Sequence, residues 1–198
     1  MIIMIEGARG AGKTTLLSAF LEQNKNPNVV YYKFFFAKYI AQFGMQDQEA
    51  GPGMHYFSLG NILSIFELNH TLFKDKIILF DRCIHSAYVW AAYRERLAKE
   101  KLLTEYSKIL NSELYVNCST VYVDRLSSIQ VKPRGKDLFD DFESYEKEAS
   151  MFNDMFKTNH QLIANPSRGN HFVQFINRFN ELSIADFNQV LTDLVNQA

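Results

Sequence analysis

A mostly apolar run, Ile2 to Glu6, leads into Gly7-Ala8-Arg9-Gly10-Ala11-Gly12-Lys13-Thr14 and then into a stretch of helical periodicity. No other feature of the chain constrains its fold so strongly. The eight residues fit GxxxxGK[ST] at every fixed position, and the strand-before, helix-after context that the motif requires is present. Glycines let successive backbone N–H groups turn inward on an anion, and the N-terminus of the following helix adds its positive end. On this reading Gly7, Gly10, Ala11, Gly12, Lys13, Thr14 and Thr15 form a phosphate cradle. Lys13 reaches the β- and γ-phosphates of a nucleoside triphosphate, and the Thr14 hydroxyl ligates Mg²⁺. ATP and Mg²⁺ are the expected cofactors.

Beyond the cradle, short β-branched runs alternate with longer helical stretches, which predicts βαβ units around a parallel sheet. Strands are expected at Ile2 to Glu6, Val29 to Tyr32, Ile77 to Phe80, Thr120 to Asp124 and His171 to Ile176. Helices are expected from about Lys13 to Gln23, Leu59 to Phe73, Ser86 to Leu110, Glu143 to Ile163 and Ser183 to Val195, with a short one from Lys33 to Phe43. Residues 44–60, with four glycines and Pro52, read as a loop. The whole predicts a three-layer α/β fold of the P-loop NTPase type. It has about five parallel strands, helices on both faces and a short lid at about residues 125–139. At 198 residues one domain, spanning 1–198, is expected.

Composition sets the outer limits. With 21 basic and 22 acidic side chains the formal charge is −1, which argues against a nucleic-acid coat protein. Cys83 and Cys118 are the two cysteines, without a CxxC pair, so neither a zinc ribbon nor a disulfide framework is suggested. The five histidines show no ligand spacing. The opening apolar run is too short for a signal peptide, and no stretch of about 18 apolar residues offers a membrane span. A cytoplasmic protein with no membrane partner is expected.

Two further constellations carry chemistry. Asp81-Arg82 closes a buried strand, where the acid can hold Mg²⁺ or its waters and the guanidinium can clamp a second phosphate bidentately. Lys132-Pro133-Arg134-Gly135-Lys136 sets three cations on a loop that can fold over transferring phosphates and exclude water. A guanine-reading NKxD is absent, as is the strand-end glutamate with which ATPases activate water. The run Tyr31 to Phe36 reads as core in preference to a base-stacking platform. Asn177-Arg178, after the last strand, is equally compatible with an adenine contact and with a plain loop.

At these residues the chain resembles the thymidylate kinase branch of nucleoside and nucleotide kinases. Ile5 to Thr14 is similar to that family's strand-Glu-Gly-x-Asp-x-x-Gly-Lys-Ser/Thr opening. Asp81 to Ser86 is similar to Asp-Arg-Tyr-x-x-Ser, and Arg134-Gly135 followed by Asp140 to Glu143 is similar to its lid passage. The resemblance implies that Lys13 and Thr14 hold donor phosphates and Mg²⁺, and that Arg82 binds the acceptor phosphate. Asp81 orients metal water or acceptor. Arg134, helped by Lys132 or Lys136, is the catalytic lid cation, and Phe57 stacks on the acceptor base. Trp90 and Tyr93, on the helix after Asp81-Arg82, are equally compatible with lining the acceptor pocket and with helix packing.

Departures fall on the acceptor side. Arg9 stands where the family has an Asp that contacts the sugar, Asn61 where it has a base-contacting Arg, and Ala91 where it has a base-reading Gln. Asp141 replaces the Arg of the lid passage. The expected activity is ATP-dependent phosphoryl transfer to a nucleoside monophosphate, with dTMP a poor acceptor. Arg9, as an added cation, is expected to favour a more anionic one. A deoxynucleoside kinase, a kinase acting on a modified nucleotide within DNA, and an ATP-dependent binding switch stay open as alternatives. A homodimer stays open as well.

Overall fold

A computed structural model describes residues 1–33, 52–95, 97–125 and 142–197. Strands β1 (Ile2–Glu6), β2 (Val29–Lys33), β3 (Ile77–Asp81), β4 (Cys118–Arg125) and β5 (His171–Asn177) form one parallel sheet in the order β2-β3-β1-β4-β5. The helices are α1 (Lys13–Gln23), α2 (Pro52–Thr71), α3 (Ile84–Tyr93), α4 (Lys99–Leu110), α5 (Phe142–Ile163) and α6 (Glu181–Asn196). β1 and β3 are buried along their whole length, as parallel strands covered on both faces must be.

Side-chain alternation along the strands divides the core in two. Ile2 and Met4, with Ile78, Phe80 and Tyr122, pack against α2, α3, α4 and α5. Ile3 and Ile5, with Leu79, Val121 and Val123, pack against α1 and α6. Fully burying each of these aliphatic or aromatic side chains stabilises the fold by about 1.5–3 kcal/mol. Register then fixes the site. Ile5 lies beside Asp81 and Glu6 beside Tyr122, so β1 and β3 end within a residue of each other while β4 runs on to Arg125. Chain connections leave β1 in opposite directions there, which opens the crevice in which such sheets bind ligands.

Three expectations change. The second helix starts at Pro52 and not near Leu59, because proline is tolerated in a first helical turn and Gly53 and Gly60 face open space. The long stretch from Ser86 to Leu110 is two helices, broken after Tyr93 where Glu95 takes a left-handed φ of 52°. β2 is an edge strand with Val30 and Tyr31 exposed, so, of the run Tyr31 to Phe36 expected in the core, Tyr31 is corrected to the surface and Tyr32 packs on Phe80, while Phe34, Phe35 and Phe36 lie outside the described residues. The expected helix after Lys33 and the lid, with Lys132, Arg134 and Lys136, lie outside the described residues. Both cysteines are buried and free.

Candidate active site

The loop after β1 is built by close approach. Gly7 has a φ of 137°, and a Cβ there would lie 2.2 Å from the Val123 carbonyl oxygen. Gly12 caps α1 with a φ of 84°, where a Cβ would meet the Asn177 amide at 2.3 Å. That amide donates to the Ala11 carbonyl at 2.9 Å, so Asn177 braces the loop from β5. Thr14 and Thr15 are exposed at the first turn of α1.

Lys13 is buried and turned back on its own loop, donating to the carbonyls of Gly7 at 2.8 Å and Ala8 at 2.7 Å. Burial, and then repulsion from Arg82, pull its ammonium down from 10.5 to about 7, against the pull of Glu148, Asp81 and Glu6.

Arg82 follows β3 in a left-handed conformation with a φ of 64°, a cost that a non-glycine residue bears only where surroundings hold it. Its backbone N–H donates to Ile5 O at 3.1 Å. Its Nη1 donates to the Gly7 carbonyl at 3.3 Å, the same oxygen that accepts from Lys13. The guanidinium lies over the Trp90 ring at 4.9 Å. Asp81 is buried and accepts from the Tyr31 hydroxyl at 3.1 Å, with the Lys33 ammonium 3.5 Å away.

Two carboxylates organise the surroundings. Glu6 is fully buried and caps α3, accepting from the backbone N–H groups of Cys83, His85 and Ser86 and from the Ser86 hydroxyl. Burial pushes its carboxyl above the ordinary range, against those bonds. Beneath it His85 meets the Tyr106 hydroxyl at 2.5 Å and Thr120 at 3.0 Å, and burial lowers its imidazole to about 3. The ring is therefore a neutral structural bridge.

Glu148 of α5 is the second carboxylate, and sequence reasoning missed it. It is 1% exposed. It accepts from the Arg9 backbone N–H at 3.1 Å, from Arg9 Nε at 2.6 Å and from Trp90 Nε1 at 3.1 Å, with Arg82 Nη1 3.5 Å away. Burial raises its carboxyl, but Arg82, Arg9 and the Trp90 bond together hold it below its ordinary value. The available signal was its place on the buried stripe of α5, with Tyr145 three residues before and Phe152 four after. An acid on an apolar helix face needs paired cations.

The structure thus brings Lys13, Arg82, Asp81, Arg9 and Trp90 to one sheet edge. Arg9 comes with a counterion, so it is not the uncompensated cation that the sequence suggested. Phe57 and Asn61 lie one turn apart on α2, partly exposed, with the Asn61 amide bonded to the Phe57 carbonyl at 2.8 Å. Among the described residues there is no cluster of three or more His, Cys, Asp or Glu able to hold a metal. Among them, too, no helix is long and apolar enough to cross a membrane.

No family model matches the chain. The thymidylate kinase of Ureaplasma parvum serovar 3, in two strains, is 30% identical in an alignment of 109 residues covering 46% of this chain and 45% of that protein. The chain is matched over a little under half the length of these relatives. Among solved structures, the thymidylate kinase of Ehrlichia chaffeensis superposes with a TM-score of 0.60 at 18% identity, covering 98% of both chains. A deoxyadenosine kinase from M. mycoides, solved with dCMP and a flexible dCDP, gives 0.63 at 18% identity over 100% of both. The fold is that of a thymidylate-kinase-like P-loop protein. The thymidylate kinase of Candida albicans, at 16% identity, adds a TM-score of 0.62 over 99% of this chain and 91% of that one. The thymidylate-kinase-like fold accounts for the strand order and for the converging ends of β1 and β3.

Proposed function

We propose that the chain is a Mg²⁺- and ATP-dependent kinase that transfers a phosphoryl group to a deoxynucleoside monophosphate. One observation carries the reading. Lys13, the donor-phosphate cation, and Arg82, the acceptor-side cation, both bond the Gly7 carbonyl. Phosphates held by these two groups lie next to each other, as direct transfer requires.

The donor set fits the expected ligands. Gly7 and Gly12 let the loop turn in close contact with Val123 and Asn177, and Thr14 offers an exposed hydroxyl. Mg²⁺ takes few protein ligands and several from phosphates and water, so Thr14 and Asp81 would be the groups to hold the ion or its waters. The ion, when bound, neutralises charge that develops on the transferring group. Lys13 leaves the Gly7 and Ala8 carbonyls for the donor phosphates. Arg82 is already oriented by Trp90 and Glu148, and presents its fork to the acceptor.

A second reading, a deoxynucleoside kinase, draws on the full-length superposition with the M. mycoides enzyme. It needs a carboxylate base for a 5′-hydroxyl, and Asp81 is tied to Tyr31 and Lys33. An ADP-release screen against nucleosides, their monophosphates and an oligonucleotide separates the readings. Turnover dependent on a monophosphate, with Arg82→Ala raising the acceptor KM at least tenfold more than the ATP KM, is the expected result. Acceptor-independent turnover, or equal losses for both substrates, overturns it.

A further inference from the structure

We propose that Glu148 is a positioning residue that sets how much negative charge the acceptor site accepts, by cancelling one of the two arginine charges that face it. The inference rests on the reading of Arg82 as the acceptor-side cation and concerns the same site.

The wall of the site around Arg9 is rich in cations. Arg9 lies over Tyr93 at 5.9 Å and Tyr145 at 5.0 Å, and Arg94 and Lys147 also lie over the Tyr93 ring at 5.7 and 5.3 Å. Into this wall α5 inserts one buried carboxylate. Both its oxygens are used. Oε2 takes Arg9 Nε, while Oε1 takes the Arg9 backbone and the Trp90 indole and pairs with Arg82. The cluster of Arg9, Arg82 and Glu148 therefore carries a formal +1 where the arginines alone would carry +2.

That difference acts on the acceptor. A buried charge a few ångströms from a ligand phosphate is weakly screened, so a carboxylate behind Arg82 repels each added negative charge on the ligand. A single phosphate group is tolerated because Arg82 offsets it. A second phosphate adds charge that Arg82 no longer offsets, with Glu148 behind it and Arg9 paired to that carboxylate. Glu148 also fixes the geometry: its bonds hold Trp90 flat beneath Arg82, so the guanidinium fork cannot swing away from the Gly7 carbonyl.

The test reads charge selectivity and not activity. The donor site is first saturated with a non-hydrolysable ATP analogue and Mg²⁺. Thymidine, dTMP and dTDP, with the adenine, guanine and cytosine series alongside, are then titrated while following Trp90, the one tryptophan of the chain. In Glu148→Gln the amide oxygen still serves Arg9 and Trp90, but the charge is gone and an N–H₂ faces Arg9 Nε. The expected result is that diphosphate binding tightens relative to monophosphate by at least about tenfold, with nucleoside binding unchanged. Glu148→Asp should keep the wild-type ratio. Arg9→Gln, which lowers the cluster charge to zero, should move the ratio the other way and serves if Glu148→Gln does not fold. Uniform weakening of all ligands, with the ratio unchanged, means Glu148 is structural and overturns the proposal while the acceptor reading stands. Failure of the wild-type protein to bind any monophosphate removes the acceptor reading, and the proposal falls with it.

Discussion

Binding of a nucleoside triphosphate should draw a proton onto Lys13, and the size of that uptake follows from the unliganded geometry. The ammonium is buried against the Gly7 and Ala8 carbonyls, with Arg82 nearby, and is half-ionised at about pH 7. Donor phosphates replace those carbonyls with several negative charges, which return the group towards the ordinary lysine value. At pH 8 about a tenth of unliganded molecules carry the proton and nearly all liganded ones do, so uptake should be about 0.9 proton per site. At pH 6 it should be about 0.1, since the unliganded amine is already charged. Calorimetric titration of a non-hydrolysable ATP analogue with Mg²⁺, in buffers of different ionisation enthalpy, measures this directly. Lys13→Met should abolish the pH dependence. Uptake below about 0.2 proton at pH 8 would mean that Lys13 is charged in the empty loop, refuting the argument. Stability gives an independent check with a definite sign. The amine value is lowered on folding, so between about pH 7 and 10.5 the unfolded chain holds more protons than the native one. Unliganded stability should therefore rise with pH in that window, by at most about 1.4 kcal/mol per pH unit.

Gly7→Ala sets a methyl group 2.2 Å from the Val123 carbonyl, at a φ that alanine avoids. Denaturant titration should show a loss of about 2–4 kcal/mol, or kinase assays a collapse of donor binding if the loop shifts instead. Glu6→Ala strips the cap from α3 and orphans three backbone N–H groups, so about 3 kcal/mol should be lost in the same titration, with the acceptor KM rising as Arg82 loosens. Arg9→Asp, the change towards the thymidylate kinase pattern, places a second carboxylate against Glu148. Alone it should destabilise the fold by about 2–4 kcal/mol in thermal unfolding, and added Glu148→Gln should recover most of that loss.

The fold was legible because its signals are local. β1, the cradle and α1 announce themselves as an apolar run, a glycine pattern and a helix start within the first fourteen residues, and the expected bounds of α1 agree with the structure. Helix ends were less legible where the deciding factor is not in the segment itself. Pro52 and Gly53 read as a break because they usually are one, yet a first turn tolerates the former and open space the latter. The division between α3 and α4 turns on the left-handed Glu95, which no pattern of polarity marks.

The site divides along the same line. Asp81 and Arg82 sit at the end of β3 and Lys13 at the start of α1 just beyond β1, where sheet topology brings distant residues together, so short motifs sufficed to mark them as neighbours. Glu148 lies 66 residues after Arg82 in the sequence, and its function exists only once α5 crosses the loop after β1. Reading Arg9 by itself gave an extra cation and hence a preference for more anionic acceptors. Beside the buried Glu148 it is a paired cation. Its Nε donates to that carboxylate at 2.6 Å, the short distance of a charge-assisted bond. Arg9 is tolerable next to the cradle because α5 supplies its counterion. Trp90 then holds Arg82 at the angle that the Gly7 carbonyl records.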